Sequence, residues 1–171
     1  NFTNNHADGV AWTGGAVLWA GQYGLINNTN FKNNSAMKYE SKDAGDCGAL
    51  SIAGNYLVVD YCNFTENQCA NGGGAIGSSG CQYINITNSI FTNNRAVKSG
   101  SSSVQGVGGV MDINSADFLV ASCIFINNYA SNNGGAIRTY VRGNVVSSIF
   151  FNNTSPTGSV LYAAANGAVI S

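Results

Sequence analysis

Asp112 and Arg138 are the charged residues best placed to act together. Each directly follows the apolar end of a small, mostly Gly-rich tetrapeptide, Gly108-Gly-Val-Met111 and Gly134-Gly-Ala-Ile137. Cleavage of a polysaccharide on an extended β surface needs carboxylates aligned on one outward face for acid/base work. The positions equivalent to Asp112 and Arg138 hold Leu18, Ser51, Gly77 and Tyr162. No second carboxylate stands in register, so the pair reads as a surface ion pair between neighbouring structural units. The remaining acids, Asp8, Glu40, Asp43, Asp46, Asp60, Glu66 and Asp117, are scattered. Residues 35–46 concentrate Lys38, Glu40, Lys42, Asp43 and Asp46, a solvated loop able to meet a cation or a partner.

The single histidine, His6, falls in a variable loop, which argues against a histidine metal site or triad. Five cysteines, Cys47, Cys62, Cys69, Cys81 and Cys123, show neither Cys-x-x-Cys nor Cys/His zinc spacing. Cys62, Cys69 and Cys123 sit among small residues where a thiol packs as a small hydrophobe. Cys81, in a turn, is expected to be the exposed thiol. No catalytic residue, cofactor or metal is therefore expected, and the chain is not expected to be an enzyme.

What positions these residues is a repeat. Phe-x-x-Asn occurs at Phe2–Asn5, Phe31–Asn34, Phe64–Asn67, Phe91–Asn94, Phe125–Asn128 and Phe150–Asn153, at intervals of 25 to 34 residues. Between the copies lie the boxes Gly14-Gly-Ala-Val17, Cys47-Gly-Ala-Leu50, Gly73-Gly-Ala-Ile76, the two already named, and Gly158-Ser-Val-Leu161. From the second box residue to the next Phe the spacing is 15 to 17 residues, whereas from Phe to that residue it runs from 9 to 18. Stacked units need equal lengths where strands pair, and loops absorb the rest.

Five residues before Phe stand Ile26, Val59, Ile86, Val120 and Val145, with Leu57, Ile84 and Phe118 two further back, the β period. No segment shows apolar residues three and four apart. The expected fold is all-β, a right-handed parallel β-helix of about six coils with three short strands each. Residues 1–171 form one segment. Phe2, Phe31, Phe64, Phe91, Phe125 and Phe150 should stack, and burying each ring contributes about 1.5–3 kcal/mol. Asn5, Asn34, Asn67, Asn94, Asn128 and Asn153 should form a ladder at a corner, where Asn tolerates left-handed backbone. Tyr23, Tyr56 and Tyr83, each eight residues before a Phe, should form an exposed stripe able to hold a sugar or a protein.

Phe-x-x-Asn alternating with Gly-Gly-Ala-Ile resembles the repeat of chlamydial polymorphic outer-membrane proteins and of archaeal adhesin-like surface proteins. Departures are Cys47 and Ser159 in the boxes and Glu66 beside Asn67. The resemblance implies a parallel β-helix exposed at a cell surface and brings no catalytic residues.

Composition agrees with an extracellular location. The net charge is −1 and 9% of residues are charged, which offers nucleic acid no basic patch. No apolar run approaches the ~18 residues of a membrane-spanning helix. Glycosylation sequons begin at Asn1, Asn27, Asn33, Asn63, Asn85, Asn152 and Asn153. No capping unit is recognisable, so the expected partners are flanking repeats or neighbouring copies meeting open solenoid ends, together with host or microbial surface glycans or proteins. The function expected is a structural and adhesive module of a surface solenoid. The alternatives are a filament or sheath subunit and a polysaccharide lyase or hydrolase.

Overall fold

The computed structural model describes residues 1–8, 14–37, 47–98, 105–164 and 169–170. The charged residues Lys38, Glu40, Lys42, Asp43 and Asp46 lie outside them. Every described strand pairs in parallel with its equivalent one repeat away, and the described residues contain no helix. The chain is a parallel β-solenoid.

The first sheet holds the Phe motif: Phe2–Thr3, Asn30–Lys32, Asn63–Thr65, Ile90–Thr92, Ile124–Ile126 and Ile149–Phe151. The second follows the boxes: Val17–Trp19, Leu50–Ile52, Ile76–Gln82, Met111–Ala116, Ile137–Thr139 and Leu161–Ala163. The third contains Gly24–Asn27, Leu57–Asp60, Asn85–Thr87, Phe118–Ala121, Gly143–Val146 and Val169–Ile170. A fourth sheet was not anticipated. It comprises Ser35–Ala36, Gln68–Cys69, Arg95–Ala96 and Tyr129–Ala130, just after the Asn of each motif. Strands of two residues carry too little alternation to be read as β. About four turns are complete, in the sense of carrying all four strands.

Inside, like stacks on like. Phe31, Phe64, Phe91 and Phe125 are fully buried, and the six Phe rings stack with centroids 4.6–5.0 Å apart. Ala36, Cys69, Ala96 and Ala130, all fully buried, form a column of small side chains at the corner after the motif. The second box glycine is explained by contact between coils. A Cβ on Gly74 would lie 2.1 Å from the carbonyl oxygen of Gly109, the equivalent glycine of the next coil. Only glycine allows that approach.

The Asn ladder forms, but not in the backbone conformation expected. Left-handed φ angles fall on the residue before it: Asn4, Asn33, Glu66, Asn93, Asn127 and Asn152, at 51–58°. These exposed residues turn the chain. The motif Asn, buried at every coil from Asn34 to Asn153, points inward. Each side-chain Nδ2 from Asn5 to Asn128 donates to the Oδ1 of the next Asn, at 2.8–3.2 Å. Each backbone N–H donates to the same Oδ1, and the second Nδ2 hydrogen of the four middle residues reaches the previous coil's Phe carbonyl. In the middle coils both amide hydrogens and both acceptor sites are used.

Candidate functional site

With the interior columns occupied by packing, what can engage a partner lies on the outward columns. The tyrosines expected as a stripe occupy one corner. Tyr23, Tyr56 and Tyr83 have φ of 56–57°, a strained conformation for a bulky residue. Their rings stack at 4.7 and 4.9 Å and within 11° of parallel. Tyr23 is 76% exposed. Stacking covers the ring faces between the tyrosines, so the stripe presents ring edges and hydroxyls, with one open face at Tyr23. In the next two coils the same column holds Asp117, also left-handed, and Arg142, joined by an ion pair of 2.7 Å. The hydrogen bonds that Arg142 donates to Asp117 raise the pKa of its guanidinium.

Asp112 and Arg138 are brought together as expected, but they are buried rather than on the surface. Arg138 is 5% exposed and Asp112 9%. Arg138 Nε and Nη2 grip the two carboxylate oxygens, at 2.7 and 2.5 Å. Nη1 donates to Gln105 Oε1 and to the Tyr140 hydroxyl, and the guanidinium lies 4.8 Å over the Tyr140 ring. Burial works against the charge of Arg138, but the bonds and charge of Asp112 outweigh it and raise the guanidinium pKa. Gln105 belongs to an insertion, whose Val107 N–H also bonds the Asn71 carbonyl at 2.9 Å. The ion pair therefore helps to hold Gln105 against the second sheet. A carboxylate held at both oxygens by Arg138 is poorly suited to general acid/base work.

Several expectations change at the cysteines and at His6. All five cysteines are buried. Cys81, expected in the open, is 2% exposed, with its sulfur 2.7 Å from Ser115 Oγ. Burial pushes the thiols of Cys62 and Cys81 up and that of Cys123 to about 11. His6 is not a detached loop residue. It pairs in parallel with Ser35 and hydrogen-bonds Ser35 Oγ and Asp8, both at 2.6 Å. Sequence spacing concealed this contact, because it depends on the unrecognised fourth sheet.

The sequons divide by what their Nδ2 already does. Asn27 and Asn85 are exposed, and no hydrogen bond of their Nδ2 is found among the described residues. Asn33, Asn63 and Asn152 are exposed, but each donates to an Asn of the previous coil. Asn153 is buried in the ladder and donates to the Phe125 carbonyl, which leaves its amide no room for a sugar. Asp60, beside this face, accepts from Thr87 Oγ1 and Asn88 Nδ2, and these bonds lower its pKa.

A stack with repeated interior columns and varied outward ones defines a repeat scaffold. Residues 61–79 and 122–140 match the family model of the Chlamydia polymorphic membrane protein repeat. The match and the solenoid fit a β-helix repeat of the polymorphic outer-membrane protein type. No curated protein and no solved structure matches the chain. No helix of the described residues is long and apolar enough to cross a membrane.

Proposed function

We propose that this chain is an adhesive display module of an extracellular surface protein, with the tyrosine corner as its contact stripe. The observation that carries this reading is strain. Three successive coils place Tyr in left-handed backbone on an exposed corner, where Asn or Gly would fit at lower cost. Holding a non-Gly residue there costs about 1–3 kcal/mol, and a ring pair returns about 0.5–1.5 kcal/mol. Stability alone does not select three tyrosines. A contact made by their edges and hydroxyls accounts for them. Asn27 and Asn85 are the sequons suited to carry sugar on the same scaffold.

The test is adhesion of beads coated with the protein to panels of animal and microbial cells. Tyr23→Asn, Tyr56→Asn and Tyr83→Asn together keep a residue that tolerates the backbone and remove the rings. The expected result is loss of adhesion with the fold retained by circular dichroism. Adhesion unchanged in the triple variant overturns the assignment of the stripe. Release of products from a polysaccharide would favour the enzymatic alternative.

A further inference from the structure

The outward column of the fourth sheet, continued through the bridge of His6 with Ser35, reads His6, Ser35, Gln68, Arg95 and Tyr129 in register. His6 lies between Ser35 Oγ on Nδ1 and Asp8 Oδ1 on Nε2. A carboxylate only accepts, so Nε2 carries the proton and Nδ1 accepts from the serine hydroxyl. Nucleophile, base and orienting carboxylate are thus within reach of one another. The His6 side chain is 47% exposed and that of Asp8 71%, an open setting for capturing a separate substrate. An electrophile is already built in beside the serine. Gln68 is the in-register neighbour of Ser35 in the next coil, and its carboxamide makes no hydrogen bond among the described residues. Arg95 follows Gln68, with its guanidinium 5.1 Å from the centre of the Tyr129 ring.

We propose that Ser35 and Gln68 join in an intramolecular ester linking adjacent coils. Ser35 Oγ attacks Gln68 Cδ while His6 Nδ1 takes the hydroxyl proton and Asp8 stabilises the imidazolium. Arg95 donates to the oxyanion developing on Gln68 Oε1. The Cδ–N bond then breaks, His6 returns its proton to the leaving nitrogen, and ammonia departs. One C–O bond replaces one C–N bond, and no oxidant or cofactor is consumed. Amides are poor electrophiles, and fixed proximity compensates: well-oriented neighbours reach effective molarities of about 10⁵–10⁸ M. The backbone here is held firmly, with Ser35 N–H donating to the Asn5 carbonyl at 2.9 Å and Gln68 N–H to the Asn34 carbonyl at 3.0 Å. The product closes residues 35–68 into a covalent ring, constraining the unfolded chain as a disulfide does.

Intact mass and peptide mapping of the purified, folded chain test this after prolonged incubation at mildly alkaline pH. The expected result is a chain lighter by one ammonia, with one linked peptide pair containing Ser35 and Gln68 that hydroxylamine separates. Ser35→Ala and Gln68→Ala should keep the full mass. His6→Ala should slow the loss by about a hundredfold or more, the share of a general base. Asn71, Asn133 and Asn166 each precede a glycine, and a succinimide at any of them also sheds ammonia but joins no peptides. Full mass in the folded wild-type chain, or ammonia loss without a linked peptide pair, overturns the proposal.

Discussion

Asn67 Oδ1 accepts two hydrogen bonds from one residue of the preceding coil, from the Asn34 backbone N–H at 3.0 Å and from Asn34 Nδ2 at 2.9 Å. Both residues are fully buried, so neither donor can turn to water. Asn67→Ala strands the pair and should cost about 3–5 kcal/mol, two unsatisfied buried donors. Asn5→Ala, at an exposed rung, should cost under about 1 kcal/mol by the net value of a hydrogen bond. Urea unfolding of the two variants measures the difference.

Gly74→Ala tests the contact between boxes. The added Cβ would stand 2.1 Å from the Gly109 carbonyl oxygen, with the Arg95 backbone nitrogen at 2.7 Å. Neither is a side chain that can swing aside. The expected loss exceeds about 4 kcal/mol, or the chain fails to fold. Alanine at Gly80, whose Cβ would meet nothing within 4 Å, should cost only the strain of its φ of +67°, about 1–3 kcal/mol. Thermal unfolding followed by circular dichroism separates the two.

The Phe stack, the Asn ladder and the adjacency of Asp112 and Arg138 were legible because they are columns. A residue type repeated at fixed phase can be read without knowing the path between copies. The fourth sheet was not legible, since two-residue strands have no pattern. With it went the contact between His6 and Ser35 and the row leading to Arg95. Burial of Asp112 and Arg138 also escaped, because Gln105, which reaches Arg138, is far from it in sequence. Cys81 is buried because the strand Ile76–Gln82 carries it into the core instead of leaving it in a turn. The left-handed residue was misplaced by one, since Asn-Asn pairs offer two candidates. Glu66, at the turning position before Asn67, is the one copy that tells them apart.

Arg138→Ala should destabilise by about 3–5 kcal/mol, because Asp112 loses a bidentate cation inside the protein. It should also release Gln105 and Val107 from the second sheet. Amide exchange at Val107 reports that release. Faster exchange there than at Val110 is expected, and equal protection of both would show that the clamp does not hold the insertion.

Cys123 makes stability fall in alkali. Burial raises its pKa from 9.0 to about 11, so the unfolded chain loses the proton first as pH rises. The contribution is complete below pH 9 and is lost progressively as pH rises towards about 11. The magnitude is about 2–3 kcal/mol at 1.4 kcal/mol per pH unit. Unfolding free energies across that interval should decline less steeply in Cys123→Ala than in the wild-type chain.

Every rung of the Asn ladder points the same way, from Nδ2 of one coil to Oδ1 of the next. A whole coil duplicated or deleted in the gene leaves each neighbour facing the partner it had before. A fraction of a coil leaves an amide without its mate. The heritable unit of length change is therefore one Phe-x-x-Asn period, and such a protein can grow or shorten in evolution while its interior chemistry stays the same.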